Sequence, residues 1–250
     1  MKLLNDFAIQ LYSVKDIIYD DFTGTLEKLG NKGFGYTGVE FAGYGDLPAD
    51  EMKEALTDNG LTSLGSHIML ERLLDTLDEE IAYNKTIGSK YIICPWTDVK
   101  TKEDVKAVAK KLTPVAEKVA AAGLKFAYHN HAHEFVKADG KYLLDIMFEN
   151  LPPYAVMELD VFWSEVADVD TLAYMEKHKS RVEILHIKQM DADKKNVDLN
   201  KGVLDLWEII TCAKQNGVKH FVMEQEAFAV SSLDSAEKNV KFIFDMEENR

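Results

Sequence analysis

The 250-residue sequence is short of basic side chains, of cysteine and of long apolar runs, and each shortage removes a class of function. Lysine and arginine number 29 against 43 aspartates and glutamates, a formal net charge of −14, and the basic residues form no clustered run. Binding to a phosphate backbone needs such a cluster, so nucleic acid is not the expected partner and a small molecule is. No apolar stretch approaches the ~20 residues that span a bilayer. The N-terminal MKLLNDFAIQ has neither the apolar core nor the small-residue cleavage site of a signal peptide. The chain is therefore expected to be cytoplasmic, with no membrane partner and with self-association left open. The two cysteines, Cys94 and Cys212, fall in a strand-like and a helix-like run far apart, which reads as buried thiols rather than a disulfide or a nucleophile. Proline (5) and glycine (14) are few beside a hydrophobic fraction of 46%, the composition of an ordinary globular chain with a sizeable core.

What is present is an alternation. Eight β-rich runs, at 7–12, 37–42, 62–68, 90–96, 125–131, 155–161, 182–188 and 219–226, recur about every 30 residues, the size of one βαβ unit. Between them lie amphipathic patterns, such as Val105, Val108, Leu112, Val115, Val119 and Ala122 at three- and four-residue steps with Gly123 as the stop. Runs like YIIC and VEILHI are apolar at nearly every position, which suits parallel strands covered on both faces. The alternative, an open doubly wound sheet, would carry a glycine fingerprint in its first βα turn, and that turn reads SVKD. The pattern predicts an α/β chain folded as a single (β/α)8 TIM barrel, one domain over residues 1–250, with no linker to a second.

In a parallel barrel the C-terminal strand ends converge on the axis, and here nearly all are polar. They supply Gln10 and Tyr12, Glu40, His67, Trp96, the HNHAHE run with His129, His131 and Glu134, Asp160 with Trp163, His186 with Lys188, and Glu224 with Glu226. An isolated buried carboxylate is strongly disfavoured, and a divalent cation removes the cost. Taken alone, Asp160 reads as a helix cap and His186 as a core histidine. Their coincidence with Glu224 at three successive strand ends points instead to a mixed oxygen and nitrogen metal site. Such a site suits manganese first, with magnesium, cobalt or zinc as alternatives. Trp96 and Trp163 are either core aromatics or the flat walls of a sugar pocket. His133 reads as a solvent-facing loop residue.

These motifs together, IQLYSVKD, GYTGVEF, SLGSH, YHNHAHEF, ELDVFW, LHIKQMD and VMEQE, resemble over the whole chain the sugar phosphate isomerase/epimerase group of the xylose isomerase-like TIM barrels. That group also includes inosose dehydratases, ketose 3-epimerases and endonuclease IV. The resemblance implies one metal held by Glu, Asp, His and Glu from the last four strands, with the two glutamates also moving protons. Asp160, His186 and Glu224 match three of those positions. At the fifth strand the sequence departs, with His129 where the ketose epimerases have glutamate. Glu134 in the following loop is expected to complete the ligand set, leaving His129 and His131 for substrate and proton transfer.

The function implied is a divalent-metal-dependent sugar isomerase or epimerase acting on a ketose or keto-sugar through a metal-stabilised enediolate. Glu224, His129, His131 and Lys188 are the expected catalytic residues, and His67, Trp96, Trp163, Glu40 and Glu226 the expected substrate contacts. Because the same enediolate can expel a β-substituent, a dehydratase or β-eliminating lyase on an inosose or keto-glycoside is the alternative. A sugar-binding protein without turnover is a third reading. A barrel phosphate site uses glycine-rich loops after the last two strands, and those loops hold only Gly202, which favours an unphosphorylated substrate.

Overall fold

Strands that are apolar at every position need cover on both faces, and the computed structural model, which describes residues 7–248, supplies it by closing them into a barrel. Residues 1–6 and 249–250 lie outside the described residues. With them go the start of the stretch read against a signal peptide and both ends of the predicted domain. The eight barrel strands are β1 (Ala8–Gln10), β2 (Gly38–Phe41), β3 (Thr62–His67), β4 (Tyr91–Cys94), β5 (Lys125–His129), β6 (Val156–Asp160), β7 (Val182–Ile187) and β8 (His220–Met223). Each pairs in parallel with its neighbours, and β1 pairs with both β2 and β8, so no edge is left open.

Successive side chains on these strands enter two separate cores. Ile9, Ile92, Phe126, Leu159 and Leu185 face outward into the layer shared with the helices. Ala8, Ile93, Ala127, Val156, Ile184 and Val222 face inward and form an apolar plug inside the barrel. The amphipathic segment read around Val105 and Val119 is the helix Lys102–Ala121. Thr101 and Asp104 form its capping box, and it stops at Gly123, whose φ of +85° few residues but glycine adopt.

All eight predicted strands run past the observed ends, where the chain leaves the ladder for the βα loops. After Gln10 the chain enters a 3-10 turn, Leu11–Val14, in which the Gln10 side-chain oxygen accepts the Tyr12 N–H at 3.0 Å. After Asp160 the helix Val161–Val166 begins at once. Two antiparallel pairs, Lys137–Ala138 with Lys141–Tyr142 and Gln189–Met190 with Asn196–Val197, decorate the βα loops and had no sequence signal. Both cysteines are free. Cys94 is buried as predicted, whereas Cys212 is only half-buried because its helix presents it near the surface. Among the described residues no helix is long and apolar enough to cross a membrane.

At the opposite end of the barrel from the polar strand ends, Glu183 accepts hydrogen bonds from Lys125 (2.7 Å), Lys219 (2.7 Å) and Tyr91 (2.8 Å). Burial opposes its ionisation, but the two ammonium groups and the phenol outweigh that and bring the carboxyl down to about 2. A group depressed in the folded state adds stability above its unfolded pKa, ~4.3 for glutamate, and loses it as the pH falls through the folded value. Thermal melts should therefore show Glu183→Gln less stable than the parent at pH 7, with the gap closing between pH 5 and pH 2. A gap that stays constant over that range would show the network to be without electrostatic effect.

Candidate active site

Because inward positions recur every second residue, the polar side chains stack directly on the apolar plug in two levels. The upper level holds Asp160 from β6, His186 and Lys188 from β7 and its end, and Glu224 just past β8. Asp160 is paired in register with His186, and His186 with Val222, two residues before Glu224. Candidate ligand atoms of His129, Asp160, His186 and Glu224 all lie within 4.8 Å of one another, and all four residues are buried. His186 Nδ1 is 3.1 Å from Glu224 Oε2 and 3.9 Å from Asp160 Oδ2. The two oxygens of Asp160 are divided. Oδ1 accepts the Trp163 N–H at 3.1 Å and caps the helix that follows, while Oδ2 is buried without a hydrogen-bond partner.

Lys188 is the one fully buried ammonium among the described residues. It reaches Glu226 at 2.5 Å, Glu224 at 3.2 Å and Asp160 at 3.5 Å, and lies over the Trp163 ring at 5.2 Å. Burial opposes its charge, but Glu224, Asp160 and Glu226 outweigh it and hold its pKa above the usual lysine value. Burial likewise pushes the Asp160 carboxyl up to about 6. It pushes Glu224 the same way, but there Lys188 and His186 prevail and keep the carboxyl well below the ordinary range. An imidazole set with a buried carboxylate oxygen that accepts no hydrogen bond is a donor arrangement that a divalent cation fits.

The lower level is a floor of paired charges. Glu40 Oε2 accepts from Gln10 Nε2 at 2.7 Å and lies 2.8 Å from His186 Nε2 and 3.0 Å from His67 Nε2. His67 Nε2 also meets Glu158 Oε2 at 2.7 Å, and that oxygen lies 3.2 Å from His129 Nδ1, off the line of a hydrogen bond. Burial disfavours a charged His67, yet Glu40 and Glu158 raise its pKa to about 10. His67, His129, Glu158 and His186 form a second group of metal-competent residues, which shares two histidines with the upper one.

Above the upper level opens a cavity of about 300 Å³ lined by His67, His129, His131, Glu224, Glu226 and Trp96, with Tyr12 and Met69 half-exposed at its mouth. A larger cavity of about 520 Å³ lies outside the barrel against the C-terminal helix Ser232–Glu248 and is lined by none of the predicted site residues. The predicted site residues therefore open onto the smaller one. His131 stands on its wall. Burial and the neighbouring Lys188 lower its pKa to about 3, so its ring is neutral at pH 7.

The structure places several of the expected residues otherwise. Glu134 does not join Asp160, His186 and Glu224, whose group is completed by His129. The Glu134 carboxylate is taken up locally, accepting the Tyr128 hydroxyl at 2.9 Å and the His131 backbone N–H at 2.8 Å, because the chain turns through His133–Phe135 directly above β5. Glu40 is fully buried in the floor, out of reach of a substrate. Trp163 does not line the cavity and stands behind His131 and Lys188. His133 is half-buried, its Nε2 2.9 Å from the Thr97 carbonyl. Sequence reasoning missed Glu158, although its position two residues before Asp160 on the same strand face was the signal. It also missed Asn130, whose side-chain oxygen accepts the Asp160 N–H at 3.0 Å.

A model of the xylose isomerase-like TIM barrel family matches residues 31–246. Two sugar phosphate isomerase/epimerases from Parabacteroides distasonis ATCC 8503 superpose with TM-scores of 0.82. One is 21% identical over 95% of this chain and 92% of its own, the other 23% identical over 95% and 96%. The IolI protein with a bound zinc atom superposes with a TM-score of 0.75 at 15% identity, over 100% of this chain and 99% of its own. These identities speak to the fold. No curated protein matches the sequence.

The position of Glu134 leads to a stability prediction. Glu134→Ala removes the acceptor of the His131 N–H, and a buried donor left unpaired costs about 1–3 kcal/mol. Chemical denaturation should register a loss of that size, with metal content unchanged. Unaltered stability together with loss of metal would instead make Glu134 a ligand.

Proposed function

This chain belongs to the xylose isomerase-like TIM barrel family, and from that membership and the strand-end chemistry we propose that it is a divalent-metal-dependent sugar isomerase or epimerase. Its substrate is a ketose or keto-sugar and its intermediate an enediolate. The observation that carries the reading is the convergence of His129, Asp160, His186 and Glu224, with Asp160 Oδ2 buried and without a hydrogen bond, beneath an open cavity. Two imidazoles and two carboxylates suit manganese, cobalt or zinc better than magnesium, which prefers an all-oxygen environment. Manganese leads, since half the donors are hard oxygens and none is a thiolate. Bound there, a divalent ion would polarise a ketone and its neighbouring hydroxyl and so acidify the C–H beside them.

The protein groups then have separate tasks. Glu224 borders both the ligand group and the cavity, and takes the proton from the carbon next to the ketone. Its depressed pKa makes it a weak base, sufficient only because the C–H is acidified. His131, neutral and on the cavity wall, handles the proton from a second direction. Lys188 remains charged and orients Glu224 and Glu226 through its hydrogen bonds, so it is not a base.

The cavity lining contains no lysine or arginine and two glutamates, which favours an unphosphorylated sugar. Gly202 offers no phosphate loop, because its Cα packs against the side chain of Gln189. The half-exposed faces of Tyr12, Met69 and Trp96 favour a second reading, a lyase on a keto-glycoside, whose second ring would rest on them.

The metal reading is tested by elemental analysis of Asp160→Asn/His186→Ala, which should lose stoichiometric metal after dialysis. Full retention would place the ion elsewhere. Turnover is tested by exchange of a ketose α-hydrogen in heavy water, where Glu224→Gln should keep some metal yet lose about 10²- to 10⁴-fold in rate. Exchange at the parental rate would leave Glu224 a ligand only. Sugar binding without any exchange in the parent protein would indicate a non-catalytic binder. Release of an aglycone from a keto-glycoside would identify the lyase.

A further inference from the structure

The floor beneath the proposed ligands has no part in the reaction as described, and it holds two fully buried carboxylates, Glu40 and Glu158, bridged by His67. Glu40 is fully buried on β2, far in sequence from the strands that carry the ligand group, yet its Oε2 is 2.8 Å from His186 Nε2. The same oxygen accepts from the Gln10 amide at 2.7 Å. Gln10 is itself clamped by the Tyr12 N–H, so its amide group faces Glu40 with the nitrogen inward. An ionised carboxylate can only accept, and therefore the proton in the His186 contact sits on Nε2. Nδ1, on the opposite side of the ring, meets Glu224 in a hydrogen bond of its own at 3.1 Å and lies 3.9 Å from Asp160, so a metal bound at Nδ1 would take the place of that bond while Nε2 stays held by the floor.

We infer that Glu40 is a positioning residue that holds a proton on His186 Nε2 and fixes the rotation of the ring, so that Nδ1 and not Nε2 is offered to a metal. Glu158 and His67 complete the support. His67 bridges the two carboxylates through one nitrogen, at 3.0 Å to Glu40 and 2.7 Å to Glu158, and so keeps two buried negative charges from moving apart. A histidine ligand that donates its other N–H to a buried carboxylate is both oriented and made more basic. The competing assignment is that His67, His129, Glu158 and His186 bind an ion of their own. It is disfavoured because the Nε2 atoms of His67 and His186 are already committed to carboxylates, and because two of its members are shared with the level above.

This inference rests on the metal reading of the upper level, and the test separates the two. Calorimetric titration of the metal-free protein with Zn²⁺ or Mn²⁺ should give one ion per chain for the parent, with 10- to 100-fold weaker binding for Glu40→Gln, the usual effect of removing such a partner. No binding by the parent defeats the metal reading itself. Normal binding by the parent and equal binding by Glu40→Gln defeats only the role of Glu40. Two ions per chain would turn the floor into a second site and overturn the inference. Should Glu40→Gln fail to fold, ¹⁵N spectra of histidine-labelled, zinc-loaded parent protein decide. His186 should show a protonated Nε2 and a zinc-bound Nδ1, and the reverse pattern would overturn the proposal.

Discussion

Closing eight parallel strands brings Glu40, Glu158, Asp160 and Glu224 to within a few side chains of one axis, all buried, and the structure depends on how their charge is offset. The barrel gives them one ammonium, Lys188, and the imidazole of His67, whereas burial keeps the rings of His129 and His131 from carrying charge. In the floor the balance is local, since His67 lies between Glu40 and Glu158 and is held protonated by them. In the upper level it is incomplete. Lys188 is shared among Glu224, Glu226 and Asp160, and the Asp160 carboxyl is driven upward by burial while its Oδ2 accepts no hydrogen bond. Metal ligands must be deprotonated, so a proton and a divalent ion compete for the same lone pairs there. The floor, by contrast, is already paired. This difference sets the upper level apart as the one whose charge is not fully offset.

The fold was legible because its signal is redundant. Eight apolar runs at a βαβ spacing exclude most alternatives even when each boundary is off by a residue or two, and the observed strands lie inside the predicted ones. The polar strand ends were legible for the same reason: the topology, once assumed, tells which residues meet. Asp160, His186 and Glu224 needed no loop geometry to be brought together.

What escaped were features set by hydrogen-bond partners rather than by position along a strand. Glu134 and His129 were both candidates for the same place, and the choice turned on which donors lie nearest. Tyr128 and the His131 N–H claim Glu134 within its own turn, a local preference invisible in composition. Glu158 was passed over because attention to strand ends hides a charged residue in mid-strand, where VMELD reads as apolar apart from its last residue. Alternation recovers it, since a carboxylate two residues below Asp160 must face the same interior. The short antiparallel pairs in the loops had no periodicity long enough to register.

A division of labour between the two ends of each polar group explains why the site can be rigid without being saturated. Asp160 spends Oδ1 on its helix and keeps Oδ2 free, His186 spends Nε2 on the floor and turns Nδ1 upward, and Gln10 accepts from the Tyr12 N–H while donating to Glu40. Asn130 repeats the pattern, bonding the Asp160 backbone through Oδ1 while its Nδ2 stays unpaired. Groups bonded at one end lose their rotational freedom when the chain folds, so little further entropy is lost on binding an ion or a substrate oxygen. A site built from side chains free at both ends would collapse into internal ion pairs. The floor limits this by engaging the lower atoms first, which leaves the upper ones only Lys188 and one another as partners.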